Sequence, residues 1–205
     1  MKGYYMEKRE KIPDEIYEMN KALCKKYPFL IPCDWMGHSM EEDEDWNYAF
    51  TWRDDVPFGW LHLFDLMCEE LLFAIKDTPY FEIFGFDEVK EKYGELRIYD
   101  RGGNDATRRI LDKWCFLSGY VCATCGKPEA RMTRGYIIPR CFDCWMEFHA
   151  TDYRDYIKRT SALIYPPVLH IMKWTSTGNK EVAISCEDEY QRLVDDWDKQ
   201  EEESV

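Results

Sequence analysis

The chain has 205 residues, of which 45% are hydrophobic and 16% aromatic, and its 40 acidic and 27 basic residues give a formal net charge of -13. Bulky apolar side chains are abundant enough to bury a core, which excludes an intrinsically disordered protein. The acidic balance argues against a general nucleic-acid coat or a membrane-surface protein that binds by bulk charge. The length predicts one main domain with a small appendage.

The first half of the chain predicts two helices separated by a proline-rich loop. An apolar spacing close to 3.6 residues indicates a helix that begins near Asp14 and ends before Pro28. Residues 28–57 contain three prolines and an acidic run, and they predict a loop with one short strand over residues 48–52. Residues 59–76 repeat apolar side chains at intervals of three and four, which is typical of an amphipathic helix.

A strand pair is predicted in the middle of the chain. Residues 81–89 and 95–100 are rich in aromatic and β-branched side chains, and they flank a turn signal at Gly94. The charged stretch 87–92 leaves one helical turn as an alternative.

The remaining elements are a third helix, a hairpin and a closing helix. Asp105 can cap a helix that runs to about residue 117. The apolar runs 167–174 and 180–185 are joined by turn residues and predict a β-hairpin. A final helix is predicted over residues 187–199, and the acidic tail after it is expected to fray.

The most specific signal in the sequence is a pattern of four cysteines. Two C-x2-C pairs, separated by 15 residues, are formed by Cys122, Cys125, Cys141 and Cys144. This spacing is typical of structural zinc, because two such knuckles supply four thiolates to one tetrahedral ion. A closed shell of this kind holds structure and leaves no position at which to activate water. We therefore expect one structural zinc ion per chain.

Several alternatives to this zinc site stay open at the level of sequence. Iron suits the same four-thiolate shell, one C-x2-C pair alone could be a redox motif, and the four cysteines could be unrelated buried residues. Cys115 or His149 could replace one ligand. The other cysteines are most simply buried apolar residues: Cys24, Cys33, Cys68 and Cys186. With nine cysteines, an odd number, reduced thiols are favoured over a disulfide framework.

The location expected for the protein is the cytoplasm. No apolar run reaches the roughly 18 residues that a membrane span needs. Residues 1–8 lack the apolar core of a signal peptide. Both observations agree with the reducing compartment that the cysteines indicate.

Catalytic signatures are missing from the sequence. Nucleases with a similar zinc scaffold place His and Asn between the two knuckles, and residues 126–140 contain neither. The H-x-E and P-C-x-x-C patterns of zinc deaminases, the phosphate-binding loops and the H-E-x-x-H motif are also missing. The pair Asp54 and Asp55 could bind a divalent ion, although acidic residues in proline-rich loops are usually solvated. We therefore expect a protein that is not an enzyme.

One segment of this acidic chain is basic. Residues 108–140 carry a net charge of +5, which leaves -18 for the remainder. Its candidate nucleic-acid ligands, which could contact phosphates and stack a base, are Arg131, Arg134, Tyr136 and Arg140. Alternatively, these arginines pair with the acidic remainder of the same chain.

A family resemblance is carried by four motifs in a fixed order. The segment KEKYGELRIY over residues 90–99 precedes the first cysteine pair, which continues as Gly-Lys-Pro, and Gly-Tyr-Ile over 135–137 precedes the second pair. This order resembles a family of small phage and prophage proteins of uncharacterised function, over about residues 27–148. In that family the last ligand is often His, whereas here it is Cys144. The resemblance implies a phage origin and a zinc-bound module, but no reaction.

Together these observations predict an α+β protein with a mixed α/β core over 1–117, an embedded four-cysteine, zinc-ribbon-like module over 118–150, and a C-terminal β-hairpin plus helix over 151–205. The expected function is non-enzymatic binding and inhibition or modulation of a host protein or ribonucleoprotein, in the manner of an anti-defence or anti-CRISPR protein that inhibits a host nuclease. No membrane or small-molecule partner is inferred. The alternative is a nucleic-acid-binding zinc protein acting through residues 108–140. The expected partner-binding residues form the acidic run Glu41, Glu42, Asp43, Glu44 and Asp45.

Overall fold

The computed structural model of the chain describes residues 12–34, 36–42, 46–149, 152–176 and 178–203. The α-helices in these ranges are α1 (Asp14–Lys26), α2 (Leu61–Ile75), α3 (Asp105–Ser118), α4 (Phe142–His149), α5 (Tyr153–Arg159) and α6 (Glu187–Glu203). The strands are β1 (Gly85–Lys92), β2 (Glu95–Arg101), β3 (Arg131–Thr133), β4 (Pro139–Arg140), β5 (Thr160–Ser161), β6 (Val168–Thr175) and β7 (Gly178–Ser185). This combination of helices and antiparallel strands confirms the α+β class.

The described strands form three small antiparallel sheets. β1 pairs with β2, and β6 pairs with β7, each as a hairpin. The third sheet has the order β4-β3-β5; β3 and β4 lie between the two cysteine pairs, and β5 follows α5. The β1–β2 turn uses Tyr93 and Gly94 with φ of 56° and 82°. Two successive positive φ values match the right-handed twist of a two-residue hairpin, which confirms the predicted strand pair and excludes the helical alternative for 87–92.

The main core lies between α2, α3 and the β1–β2 hairpin. Its fully buried members include Trp60, Phe64 and Leu96, and Tyr190 and Leu193 of α6 belong to the same cluster. Side chains from residues 1–117, from residues 118–150 and from α6 therefore pack into one hydrophobic cluster. The division at residues 117 and 150 into a core domain, a zinc module and a C-terminal segment stays a prediction. Within the described ranges, every helix falls short of the length and apolar character needed to cross a bilayer.

The strand predicted over residues 48–52 is wrong. Residues 46–48 form a turn, and Trp52–Asp55 is a short 3-10 helix. The Thr51 hydroxyl accepts the Arg53 N–H at 3.2 Å, and the Asp54 carboxylate accepts the Thr51 N–H at 2.6 Å. This reciprocal cap satisfies backbone groups that a strand would have left for a neighbouring strand.

Other boundaries differ from the sequence predictions. Asn104, not Asp105, caps α3, because its side chain accepts the N–H groups of Ala106 and Thr107 at 2.8 and 3.0 Å. The closing helix continues to Glu203 instead of fraying after residue 199. The start of the first predicted strand, residues 81–84, belongs to a 3-10 turn and its exit.

Candidate metal centre and the neighbouring groove

The four cysteines of the predicted zinc site converge. The sulfur atoms of Cys122, Cys125, Cys141 and Cys144 all lie within 4.8 Å of one another. The Sγ atoms of Cys125 and Cys141 are 3.7 Å apart. A tetrahedral zinc ion with Zn–S bonds of about 2.3 Å places its sulfurs roughly 3.8 Å apart. The cluster can therefore hold one tetrahedral metal ion after small adjustments.

The first cysteine pair lies in a tight turn after α3. Gly126 has φ of 93°, which a residue with a side chain rarely adopts, and its N–H donates to the Cys122 carbonyl at 2.9 Å. The Cys122 N–H donates to the Lys127 carbonyl at 2.9 Å, and the Lys127 N–H points at the Cys125 Sγ from 3.5 Å. These contacts form a knuckle in which backbone donors face the sulfur atoms, as the sequence predicted.

The second pair lies where β4 leads into α4. Cys141 immediately precedes the helix, and its carbonyl accepts the Trp145 N–H at 3.0 Å. Cys144 lies in the first turn, and its N–H points at the Cys141 Sγ from 3.5 Å. The helix start therefore fixes the spacing of these two sulfur atoms.

The cysteines of the cluster shift one another's pKa. The Cys141 thiol and nearby backbone N–H groups donate to the sulfur of Cys122 and lower its pKa to about 4. The same hydrogen bond raises the pKa of Cys141, and burial, followed by the charge of Cys122, raises the pKa of Cys144 to about 12. The thiolate of Cys122 thus opposes the ionisation of the neighbouring thiols. A cation at the centre is therefore needed to hold all four cysteines as thiolates.

The metal centre is attached to the main core on two sides. Gly59 donates its N–H to the Ala123 carbonyl at 3.1 Å, and the Trp60 indole donates to the Val121 carbonyl at 2.9 Å. From α6, the Tyr190 hydroxyl accepts the Glu129 N–H at 2.9 Å. The turn that carries the first cysteine pair is therefore held by elements distant from it in sequence.

Other candidate metal ligands lie elsewhere. Among the described residues, the four cysteines are the one group of at least three His, Cys, Asp or Glu side chains placed to hold an ion. Cys115 is buried in the main core, and His149 stacks on Trp145 with ring centroids 3.8 Å apart. Neither substitutes for a ligand. Cys24, Cys68 and Cys186 are buried as expected, whereas Cys33 is partly exposed.

Three of the four predicted nucleic-acid-binding residues line one groove. Arg134, Tyr136 and Arg140 face a cavity of about 510 Å³ between the β3–β4 turn and the ends of α4 and α5. The groove is defined by these three and by Thr133, Ile138, Trp145, Phe148, His149, Lys158 and Arg159. Sequence reasoning missed the members from α4 and α5, since their only signal was a scatter of aromatic and basic residues after the second cysteine pair.

Arg131 is not part of this groove. Its Nε donates to the Thr160 hydroxyl at 2.7 Å, and its guanidinium lies 5.9 Å from the ring centroid of Tyr156. The side chain is half-buried and joins β3 to β5. The geometry thus gives Arg131 a packing role.

The acidic run is described only in part. Glu41 is exposed, and its N–H donates to the Ser39 hydroxyl at 3.2 Å. Glu42 ends a short 3-10 helix that begins at Met40. Asp43, Glu44 and Asp45 lie outside the described residues, so the partner-binding role of the run stays a prediction.

Comparison with known proteins adds no relative. The chain matches no family model, no curated protein and no solved structure. Functional inference therefore depends on the metal centre and the groove.

Proposed function

We propose that this chain is a zinc-stabilised, non-enzymatic binding protein whose groove takes up nucleic acid. The observation that carries the proposal is the cluster of unpaired cations and exposed rings beside the four cysteines. Arg134, Arg140 and Lys158 have no carboxylate partner within the part of the chain that the structure describes. This favours a ligand for the arginines over the alternative that they neutralise the chain's own acidic surface.

Zinc is the metal proposed for the cysteine cluster, with one ion per chain. Four thiolates at tetrahedral spacing form a closed shell of the kind that structural zinc prefers. Elemental analysis of purified protein is expected to give one zinc per chain. The Cys141→Ser variant should lose the metal and melt at a lower temperature, while Cys33→Ser, which changes a thiol outside the cluster, should keep both properties. A metal-free wild-type protein would contradict the assignment.

A non-enzymatic role is supported by how the candidate catalytic groups are used. Histidines 38, 62 and 170 lie against Asp34, Asp196 and Glu181, at 3.2, 3.0 and 2.7 Å, each on a different element. Asp54 is engaged in the cap of its own turn. Incubation with single- and double-stranded DNA and RNA in Mg²⁺ or Mn²⁺ should leave every substrate intact. Cleavage that disappears in Asp54→Asn or Asp55→Asn would contradict this expectation.

A second candidate is a phage-type modulator that binds a host protein or ribonucleoprotein in the cytoplasm, as an anti-defence or anti-CRISPR protein does. Its support is the acidic body of the molecule together with the motif order that resembles a family of phage proteins. Helix α6 presents acidic side chains on its exposed face, including Asp188, Glu201 and Glu202. Such a surface complements the cationic channel of a nucleic-acid-processing enzyme.

The two candidates respond differently to charge reversal. Inhibition of a host nuclease that is lost with Glu41→Lys and Glu42→Lys, or with Glu201→Lys and Glu202→Lys, would favour the modulator. Nucleic-acid binding that is lost with Arg134→Ala and Arg140→Ala, and unaffected by the acidic reversals, would favour the groove. The matched control for the groove is Arg109→Ala, which removes an exposed arginine of α3 from the same basic segment.

A further inference from the structure

Two aromatic side chains of the groove are largely exposed. The side chain of Tyr136 is 74% exposed and that of Phe148 is 61% exposed. In the same groove, the rings of Trp145 and His149 are stacked with their centroids 3.8 Å apart and 9° between their planes. Exposed rings gathered in one concavity are typical of a binding site, because each leaves apolar area in water.

The cations of the groove flank these rings. The Arg140 guanidinium lies 4.0 Å from the ring centroid of Phe148, and its buried Nε has no hydrogen-bond partner in the described structure. Arg134 and Lys158 are exposed, and Arg159 is paired with Asp155 at 3.0 Å. Three positive charges are therefore left for a ligand.

Two basic residues near the main core are neutralised by carboxylates of the same chain. Lys113 contacts Glu70 and Glu189 at 2.7 and 2.9 Å. Arg53 forms a two-point pair with Asp65, with both N–O distances 2.8 Å. Arg134, Arg140 and Lys158 lack such partners among the described residues, although the chain has 40 acidic residues, and their grouping with exposed rings in one concavity favours an anionic ligand.

Backbone contacts hold the groove in shape. The Arg134 N–H donates to the Arg159 carbonyl at 3.0 Å, which joins the β3–β4 turn to the end of α5. The Tyr156 hydroxyl donates to the Arg140 carbonyl at 2.7 Å. A ligand therefore meets a site whose walls are already positioned, so less ordering is needed on binding.

We infer that this groove binds single-stranded nucleic acid in preference to duplex, with bases stacked on Tyr136 and Phe148 and phosphates held by Arg134, Arg140 and Lys158. The inference rests on the proposed nucleic-acid function and names its substrate class. Base faces are available for stacking on side chains only when the strand is unpaired. A concavity of about 510 Å³ is in the range of sites that enclose small ligands, which suits one or two unpaired nucleotides and not a rigid duplex.

The test measures fluorescence anisotropy of labelled oligonucleotides with the zinc-loaded, full-length protein. The probes are a mixed-sequence single strand of about 12 nucleotides, as DNA and as RNA, and a duplex of the same length. A labelled poly-glutamate peptide tests the alternative of an acidic protein segment. Each titration is repeated between about 50 and 200 mM salt, the range in which phosphate contacts are most apparent.

We expect the single strand to bind at least ~10-fold more tightly than the duplex, since stacking on exposed rings is lost in the duplex. Tyr136→Ala and Phe148→Ala should each weaken single-strand binding roughly 10-fold, and Tyr136→Phe should retain most of it. A plot of the logarithm of the association constant for the single strand against the logarithm of the salt concentration should become less steep by about 0.7 in Arg134→Ala. Arg109→Ala should change neither the affinity for the single strand nor its salt dependence. Unchanged zinc content and melting temperature would show that the variants fold.

Each contrary result has a distinct meaning. Duplex binding as tight as single-strand binding, with Tyr136→Ala neutral, would overturn the single-strand inference and leave the nucleic-acid function standing. Failure of all oligonucleotides to bind at the lowest salt would overturn both. Tighter binding of poly-glutamate than of the single strand, sensitive to the same variants, would assign the groove to an acidic protein partner.

Discussion

Gly59 lies in close contact with the backbone of the metal centre. A Cβ atom there would lie 2.1 Å from the Cys122 carbonyl oxygen and 2.6 Å from the Gly126 nitrogen, both of them backbone atoms that cannot rotate away. We expect Gly59→Ala to lower the free energy of unfolding by about 1 to 3 kcal/mol and to weaken zinc retention, because the knuckle must shift to admit the methyl group. Chemical denaturation and zinc release to a chelator would measure both effects.

Gly119→Ala is the matched control for this substitution. The nearest atom to a Cβ at Gly119 is 3.4 Å away, and its φ of -65° suits any residue. The variant should be neutral or gain about 0.4 to 1 kcal/mol, because alanine restricts the unfolded chain. Equal destabilisation by the two variants would show that Gly59 is not a special contact.

Residues of the metal centre could be predicted from sequence, whereas half of the groove could not. The cysteine spacing reports directly on ligand geometry, since each pair forms a local turn. Phe148 and Lys158 reach the groove only through the packing of α4 and α5 against the β3–β4 turn, which has no sequence pattern of its own. Composition also does not reveal that the Arg131 guanidinium donates to Thr160 outside the groove, and the nucleic-acid-binding role of Arg131 stays a prediction.

At the level of secondary-structure elements, the start of α3 offers a direct test of the corrected cap. Asn104→Ala should destabilise the protein by about 1 kcal/mol, because the N–H groups of Ala106 and Thr107 lose their side-chain acceptor. Asp105→Ala should have a smaller effect, since Asp105 provides only a favourable charge in the first turn. Denaturation midpoints of the two variants would compare them, and a larger loss from Asp105→Ala would restore the original assignment.

Long periodic elements were predicted well, and short ones poorly. Helices α1 and α2 and the β1–β2 and β6–β7 hairpins follow from apolar periodicity and turn residues over at least seven residues. α4 and α5 span eight and seven residues, too few to show a period, and their positions depend on the cysteine cluster and on Tyr156. The aromatic residues around position 48 were misread as a strand. They are apolar because they pack with Trp46 in a small cluster beside α1.

For the whole molecule, removal of the metal should affect more than the cysteine module. Trp60 bonds to the backbone of Val121 just before the turn that carries Cys122, and Tyr190 of α6 bonds to the backbone of Glu129 just after it. We expect chelation to increase hydrogen exchange in α6 and in residues 58–63, while the β6–β7 hairpin keeps its exchange rates. Loss of protection confined to residues 118–149 would show that the core does not depend on the metal.

Acid should release the metal from the folded protein. Zinc requires the thiolate form of each cysteine, and burial together with neighbouring sulfur raises the pKa of Cys144 in the metal-free cluster to about 12. The metal-bound state therefore binds fewer protons, so the stabilisation is present at about pH 7 and is lost as the pH falls. Zinc content after stepwise acidification, measured with the melting temperature, should decline in parallel.

Helix α4 carries Cys144 in its first turn and Phe148 in its last, and Arg140 adjoins Cys141 in the chain. Metal and groove thus share one short rigid element, which makes their occupancies thermodynamically coupled. If zinc shapes the groove for its ligand, the bound ligand must strengthen the binding of zinc by the same free energy. Zinc affinity, measured by equilibrium competition with a chelator, should be higher with a saturating single strand present, and the effect should vanish in Phe148→Ala. The protein would then hold its metal most firmly while engaged with its target.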